Sequence, residues 1–177
     1  VLSDTIPALE YFGRASVLAE EIVRGLAARK KMIAAAESCT AGLASDFITR
    51  VPGASNVFWG SFVTYSPEAK VKMLGLQEEL IEEHGEVSRP VALAMAEGAL
   101  EKSGASWAFS ITGFAGPSGG SAGAPVGTVW VGLAERDGTG VVRSEAKMFF
   151  FVGDRNEVRE AAATVALQEL LERVNRA

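Results

Sequence analysis

An α/β domain with a mixed sheet covered by helices is the fold class that the sequence predicts. The apolar pattern alternates between helical and strand periods along the chain. Two of the strand-like segments flank an Asp-Gly turn, the mark of an antiparallel hairpin, whereas the others are separated by helical segments. No repeat, linker or shift in composition divides the 177 residues, so one domain is expected over 1–177.

Residues 15–29, ASVLAEEIVRGLAAR, repeat apolar positions at helical spacing and predict an amphipathic helix. Residues 32–36 read as a short buried strand. Ser38 or Thr40 is then placed to cap a helix through about residue 49, which Pro52 and Gly53 of VPGASN break. Residues 57–65, VFWGSFVTY, are aromatic and β-branched and predict the second strand; such a strand is more often core than surface. Ser66-Pro67 opens a helix, a capping side chain followed by proline at the first position. The next helix covers about 78–83 and stops at His84-Gly85, where glycine takes the left-handed cap. Ser88-Arg89-Pro90 starts a long helix to about residue 102, closed by Gly104, and residues 107–112 form the third strand. Residues 113–127 are rich in Gly, Ser, Pro and Ala and read as a loop too polar and flexible to be core. Residues 128–135 and 141–152 make two strands around Asp137-Gly138, and a final helix spans about 154–175.

Composition excludes several classes. Apolar residues make up 48% and charged residues 22%, the balance of a soluble globular protein. Seventeen Lys and Arg stand against 22 Asp and Glu, a net charge of −5, and no basic stripe interleaves with aromatics, so nucleic acid is not an expected partner. No apolar run approaches the roughly 18 residues of a membrane span, and VLSDTIPALEYF lacks a secretory pattern. A start at Val1 fits a trimmed polypeptide. One cysteine forms no internal disulfide, which agrees with a cytoplasmic location. One histidine and one cysteine leave no usual zinc set, so metal catalysis would need carboxylates alone; no metal is expected.

Three polar stretches follow strands, where open α/β sheets gather ligands. The first is Glu37-Ser38-Cys39-Thr40. A serine at a strand-to-helix turn sets its hydroxyl over the next helix, whose N–H groups at 39–41 would face an oxyanion; the alternative is that Ser38 or Thr40 only caps that helix. The second, TYSPEAK, offers Tyr65 and, a turn into the helix, Lys70. The lone His84 lies in a cap-like setting, EEHGEVS, and is taken as structural, so a lysine base is the natural substitute in a serine mechanism. Lysine serves near neutral pH only when desolvation or nearby positive charge lowers its pKa; otherwise Lys70 is a solvated helix lysine like Lys72. The third, SITGFAGPSGGSAGAPVG, has glycines that let backbone N–H groups approach a phosphate, or that make a lid or a plain connector. It is neither a Walker loop, lacking Gly-Lys-Ser/Thr, nor a Rossmann fingerprint, since a strand follows it. Arg155, in the first turn of the last helix, is poorly placed against the helix dipole and hints at an anionic partner.

The motifs AESCTAG, TYSPEAK, HGEVS, SITGFAGPSGG, PVGTVWVGLA and GDR occur in the order and spacing of the C-terminal domain of the competence/damage-inducible CinA proteins, and the chain resembles that family over about residues 15–175. The resemblance implies a three-layer α/β/α sandwich with a mixed, mostly parallel five-stranded sheet. It implies hydrolysis of nicotinamide mononucleotide to nicotinic acid mononucleotide and ammonia, without cofactor, in a homo-oligomer; the N-terminal molybdopterin-binding-like domain of longer relatives has no counterpart here. By the same resemblance Ser38 is the nucleophile, Lys70 its base and Tyr65 part of the proton network. Cys39, Thr40, Thr112, Gly113, Gly116, Pro117 and Gly119 line the nucleotide site, and Arg155 holds the phosphate. Two rival readings are a Cys39 nucleophile with Glu37 and Lys70, and a non-catalytic nucleotide-binding module of the same fold. A subunit interface around Phe58, Trp59 and Phe62 would make a third, structural role. Two departures from the family pattern stand out. Ala41-Gly42 replaces the usual Gly-Gly, which suits a position inside a helix, and Ala124-Pro125 replaces the usual Lys-Pro.

Overall fold

The computed structural model describes residues 6–11, 13–121 and 123–176. Fifteen residues of amphipathic helix, α1 (Ala15–Arg29), begin where the spacing predicts. Then come β2 (Ile33–Glu37), α2 (Leu43–Thr49) and β3 (Phe58–Val63). A short helical turn α3 (Pro67–Ala69) runs into a π-helical turn, Lys70–Leu74. The order continues α4 (Glu78–His84), α5 (Arg89–Ser103), β4 (Trp107–Gly113), β5 (Thr128–Arg136), β6 (Val142–Val152) and α6 (Arg155–Arg176). A two-residue strand, β1 (Ile6–Pro7), and a 3-10 turn, Ala8–Tyr11, precede α1 and were not foreseen.

The sheet order is β1-β6-β5-β4-β2-β3, so the five expected strands gain the two-residue β1 at one edge. β2 pairs in parallel with both β3 and β4, β1 in parallel with β6, and β5 runs against β4 and β6. Five of the six strands therefore point one way. β2, β3, β4 and β6 all end at the same side of the sheet, and the three loops singled out above, with the start of α6, collect there.

Alternation along the strands divides the core into two layers. Ile33 and Ala35 of β2, with Trp107, Phe109 and Ile111 of β4 and Val129, Val131 and Leu133 of β5, pack under α1, α2 and α6. Ala34, Ala36, Ala108 and Ala134 face the other way, onto Val91, Met95, Ala96, Ala99 and Leu100 of α5. That second face is built of small residues because α5 comes very close to it. Ser110 donates its hydroxyl to the Ala92 carbonyl at 2.6 Å. A Cβ on Gly132 would meet that carbonyl oxygen at 2.5 Å, and one on Gly98 would meet the Leu74 carbonyl oxygen at 2.5 Å.

Local chemistry ends most helices as expected. Ser66 accepts from the Ala69 N–H, Ser88 accepts from the Val91 N–H, and Gly104 closes α5 in the left-handed conformation. Two expectations fail. β3 is an edge strand rather than core: Trp59 and Val63 are exposed, with Trp59 stacked on Phe62. The 113–127 stretch is also less loose than its composition suggests. Ala115 and Ala124 are buried, the Phe114 N–H donates to the Thr128 carbonyl at the start of β5, the Gly127 N–H donates to the Phe114 carbonyl, and the Gly127 carbonyl accepts from the Phe151 N–H of β6. No described helix is long and apolar enough to cross a membrane.

The close seat of α5 predicts that Gly132→Ala forces the helix off the sheet. Stability should fall by about 1–3 kcal/mol, the usual cost of overpacking a core, read as a lower urea midpoint with an unchanged slope.

Candidate active site

β2 delivers the first loop, and the chain reverses there in a way the sequence did not suggest. The helix after β2 begins at Leu43 rather than near Ser38, and its cap residue Gly42 offers no side chain. The cap is Glu37. Its buried carboxylate accepts the N–H groups of Gly42, Ala44 and Ser45 and the Ser45 hydroxyl. Neither Ser38 nor Thr40 caps anything, and the Thr40 hydroxyl is buried without a hydrogen-bond partner among the described residues. An anion at a helix start is electrostatically favoured as well as hydrogen-bonded. Here it comes from the strand, five to eight residues back.

Between Glu37 and Leu43 the backbone turns tightly. Ser38 donates its N–H to Ile111 of β4 at 2.9 Å, and the Ala41 N–H returns to the Ser38 carbonyl at 3.0 Å. Ala41 sits at φ 50° and Gly42 at φ 94°. Ala41 is thus in the left-handed region and not inside a helix, so the glycine of the family pattern fits there and alanine carries strain of about 1 kcal/mol. The Ala41 N–H is used, which removes it from the expected oxyanion donors. The N–H groups of Cys39 and Thr40 make no hydrogen bond among the described residues and are the two that remain.

Arg159 fixes the direction of the Thr40 N–H, and the bond from Ala41 to the Ser38 carbonyl holds the peptide that carries the Cys39 N–H. The Arg159 Nε donates to the Cys39 carbonyl and its Nη2 to the Thr40 carbonyl, each at 3.1 Å. In a trans peptide the C=O and N–H point opposite ways, so holding the Cys39 carbonyl turns the Thr40 N–H away from α6. Sequence reading missed both Glu37 as the cap and Arg159. The available signal for Arg159 was its spacing of four from Arg155, which puts both on one face of α6.

The second loop brings Lys70. The π-helical turn that starts there is a frequent companion of functional sites. Lys70 is wholly buried, unlike exposed Lys72, which pairs with Glu68. The Lys70 Nζ donates to the Ser38 Oγ at 3.1 Å and to the Thr64 carbonyl at 3.2 Å. Burial pushes its pKa below the ordinary 10.5, while the Glu86 carboxylate, 3.6 Å away, pulls it back up. A buried amine with a lowered pKa, held on a serine hydroxyl, is the arrangement that a lysine base for serine would need. Tyr65 is exposed, and its hydroxyl accepts from Arg155 Nη2 at 2.8 Å rather than bonding to Ser38 or Lys70.

Cys39 is buried within the hydrophobic core at the floor of the cleft that Ser38 lines. Burial, aided by the Glu37 carboxylate, pushes its thiol up to about 12, so the thiolate nucleophile of the rival reading is scarce near neutral pH.

The glycine-rich stretch forms the opposite wall. Thr112 donates its hydroxyl to the Glu86 carbonyl at 2.8 Å, tying the end of β4 to the link between α4 and α5. Gly113 is crowded: a Cβ there would meet the Thr128 carbonyl oxygen at 2.9 Å and the Cys39 sulfur at 3.2 Å. Gly116 (φ 83°) precedes a cis peptide to Pro117, and its carbonyl accepts from Arg155 Nη1 at 2.7 Å. Ser38, Tyr65, Glu86, Thr112, Gly119 and Arg155 line an open cleft of about 280 Å³, close to the lower end of the size range of small-molecule sites. Pro117 and Thr40, expected to line the site, do not line this cleft; Pro117 lines a neighbouring depression that shares Gly116 and Arg155 with it. Among the described residues no group of three or more His, Cys, Asp or Glu is placed to hold a metal ion.

The sequence and the fold resemble those of known proteins. The profile of the CinA C-terminal domain matches residues 15–174. A CinA-like protein of Chlorobaculum tepidum is 48% identical over 89% of the chain, which spans only 37% of that longer protein. A protein of Escherichia coli strain K12 named nicotinamide-nucleotide amidohydrolase PncC is 47% identical over 86% of the chain and 90% of its own length. The crystal structure of competence/damage inducible protein CihA from Agrobacterium tumefaciens superposes with a TM-score of 0.84 at 38% identity, covering 98% of this chain and 99% of that one.

Two measurements test the electrostatics of the site. Iodoacetamide at pH 8 should leave Cys39 unmodified in the native protein and label it once the chain is unfolded, as intact mass will show. Burial lowers the Lys70 pKa in the folded chain, so between that lowered value and 10.5 the unfolded chain holds the extra proton and this site's contribution to stability rises with pH. Lys70→Met should therefore be more stable than the wild type at neutral pH, with the gap closing as pH climbs toward 10.5, as denaturation at several pH values will read.

Proposed function

The chain belongs to the CinA C-terminal domain family, and we propose that it hydrolyses the carboxamide of nicotinamide mononucleotide, giving nicotinic acid mononucleotide and ammonia. The observation that carries the reading is the 3.1 Å contact between the buried Lys70 amine and the Ser38 hydroxyl at the mouth of the cleft. The amidohydrolase name of a relative 47% identical over most of both chains supports the choice of substrate.

The reaction follows from what each group can do. Neutral Lys70 takes the Ser38 proton as the serine oxygen attacks the amide carbon. The developing oxyanion meets the free N–H groups of Cys39 and Thr40, which cost no reorganisation because Arg159 already holds their turn. Lysine, now an ammonium, returns the proton to the departing nitrogen, and ammonia leaves an acyl-serine. Water, deprotonated by Lys70, attacks the ester, and the serine oxygen recovers its proton as the acid departs. Arg155 at the rim is the cation for the substrate phosphate, and its bond to Tyr65 places that hydroxyl beside the same group. Thr112, Gly113, Gly116 and Gly119 form the wall for the nucleotide. No metal or cofactor enters any step. The substrate is a small molecule, and assembly into a homo-oligomer remains part of the proposal.

Ammonia release from nicotinamide mononucleotide by the purified protein is the direct assay. Ser38→Ala should lower kcat by at least about 10³-fold, whereas Cys39→Ala should keep it within about tenfold. An inactive cysteine variant beside an active serine variant overturns the assignment. Saturable binding of the mononucleotide by the wild type with no ammonia would make the protein a binding module instead.

A further inference from the structure

Glu86 lies outside every role assigned so far, yet its carboxylate is the nearest opposite charge to the buried Lys70 nitrogen, at 3.6 Å. The link between α4 and α5 that carries it is pinned at several points. Gly85, at φ 78°, donates its N–H to the Ile81 carbonyl at the end of α4, and Ser88 donates its hydroxyl to the Gly85 carbonyl at 2.9 Å. Thr112 donates to the Glu86 carbonyl, and Val87 is buried. Such a link does not drift, so the carboxylate is delivered to one place. Its side chain is 38% exposed, and it lines the same cleft as Ser38.

The surroundings of Lys70 leave Glu86 alone in this role. Ser38 and Cys39 face it from the turn after β2, the first neutral and the second a buried thiol. The Thr64 carbonyl faces it from the end of β3. Glu37 is turned onto the start of α2, and Tyr65 and Arg155 are engaged with each other. No other acidic side chain pairs with Lys70 among the described residues.

We infer that Glu86 is a positioning residue of the Ser38–Lys70 pair, holding the lysine in place and stabilising the positive charge that it takes on when it removes the serine proton. The inference rests on the Ser-Lys reading above. In that step the Oγ–H bond breaks and an Nζ–H bond forms, the serine electron pair goes to the amide carbon, and Lys70 becomes a cation in a dry site. The carboxylate exchanges no atom in the step. Without it the new ammonium would have only dipoles, the Thr64 carbonyl and the serine oxygen, to offset its desolvation. With it the amine becomes a stronger base, at the cost of being protonated up to a higher pH. Glu86 therefore sets where the acid limb of the activity profile falls as well as how high the plateau stands.

Glu86→Gln keeps the size and the hydrogen-bonding capacity and removes only the charge. The titration of Lys70 is followed through its ε-carbon resonance in the full-length wild type and in the variant, with Lys70→Met identifying the signal. The pH profile of kcat/KM for nicotinamide mononucleotide is recorded alongside. The variant's lysine should titrate at lower pH than the wild type's, and the acid limb should move down with it. The plateau should fall by about tenfold, the low end for one opposite charge at this distance near a protein surface; Glu86→Asp should lie between the two. An unmoved lysine titration, or a plateau as high as the wild type's, overturns the inference. The titration needs no turnover: a shifted lysine in a protein that releases no ammonia would retain the Glu86–Lys70 coupling and overturn both the amidase reading and the part that Glu86 plays in it.

Discussion

A carboxylate with no access to water, Glu37, organises the end of the sheet where the polar loops meet. Its oxygens take three backbone N–H groups and a hydroxyl from the start of α2. A buried anion is tolerable only when so fully hydrogen-bonded. Those bonds fix how far α2 stands from the end of β2, which leaves residues 38–42 to cross the gap in a single tight turn. The position of the Ser38 hydroxyl, the unused N–H groups of Cys39 and Thr40, and the left-handed Ala41 all follow from that spacing. Arg159 supports the same turn from the other side through the two carbonyls. The acid and the guanidinium thus define one backbone geometry between them, and neither needs to touch a ligand to do so.

Lys70 shows the opposite economy. A lysine with no exposed surface is unfavourable for the fold, and its company of one hydroxyl, one carbonyl and one carboxylate at 3.6 Å compensates only in part. The strain is local, at a π-helical turn, while the rest of the core is ordinary: small residues under α5, larger ones under α1 and α6. Proteins commonly depart from local consistency at the places that do chemistry. Here the departures, a buried base, a buried acid and a positive-φ alanine, lie together at one end of the sheet.

What could be read in the sequence was whatever depends on near neighbours in the chain. Periodicity fixed α1 to the residue, and the serine-proline pairs at 66–67 and 88–90 located the starts of α3 and α5, because a cap acts over three residues. Ser38 and Lys70 could be named, and so could their family roles, but their contact spans 32 positions and no local pattern encodes it. The start of α2 was misplaced because its cap is a strand residue acting backwards across a turn, a device outside the usual Ser, Thr, Asp and Asn signature. The same gap led Ala41 to be read as a helix residue. β3 looked like core since its aromatics fit a buried strand, and only the strand order reveals it as an edge. Glu86 was legible as a letter in HGEVS and illegible as a partner of Lys70, since that depends on where the α4–α5 link folds.

The two arginines of α6 complete a site whose other members were laid down long before in the chain. Arg155 reaches the hydroxyl of a residue 90 positions earlier, and Arg159 the carbonyls of residues 120 and 119 positions earlier. Synthesis runs from the amino end, and a nascent chain explores its structure as it emerges. The cleft therefore lacks its cationic rim and the support of its turn until the last helix is made and docked. A chain that stops short of α6 holds Ser38 and Lys70 without these two arginines, so the geometry described above arrives only once α6 has been made and docked.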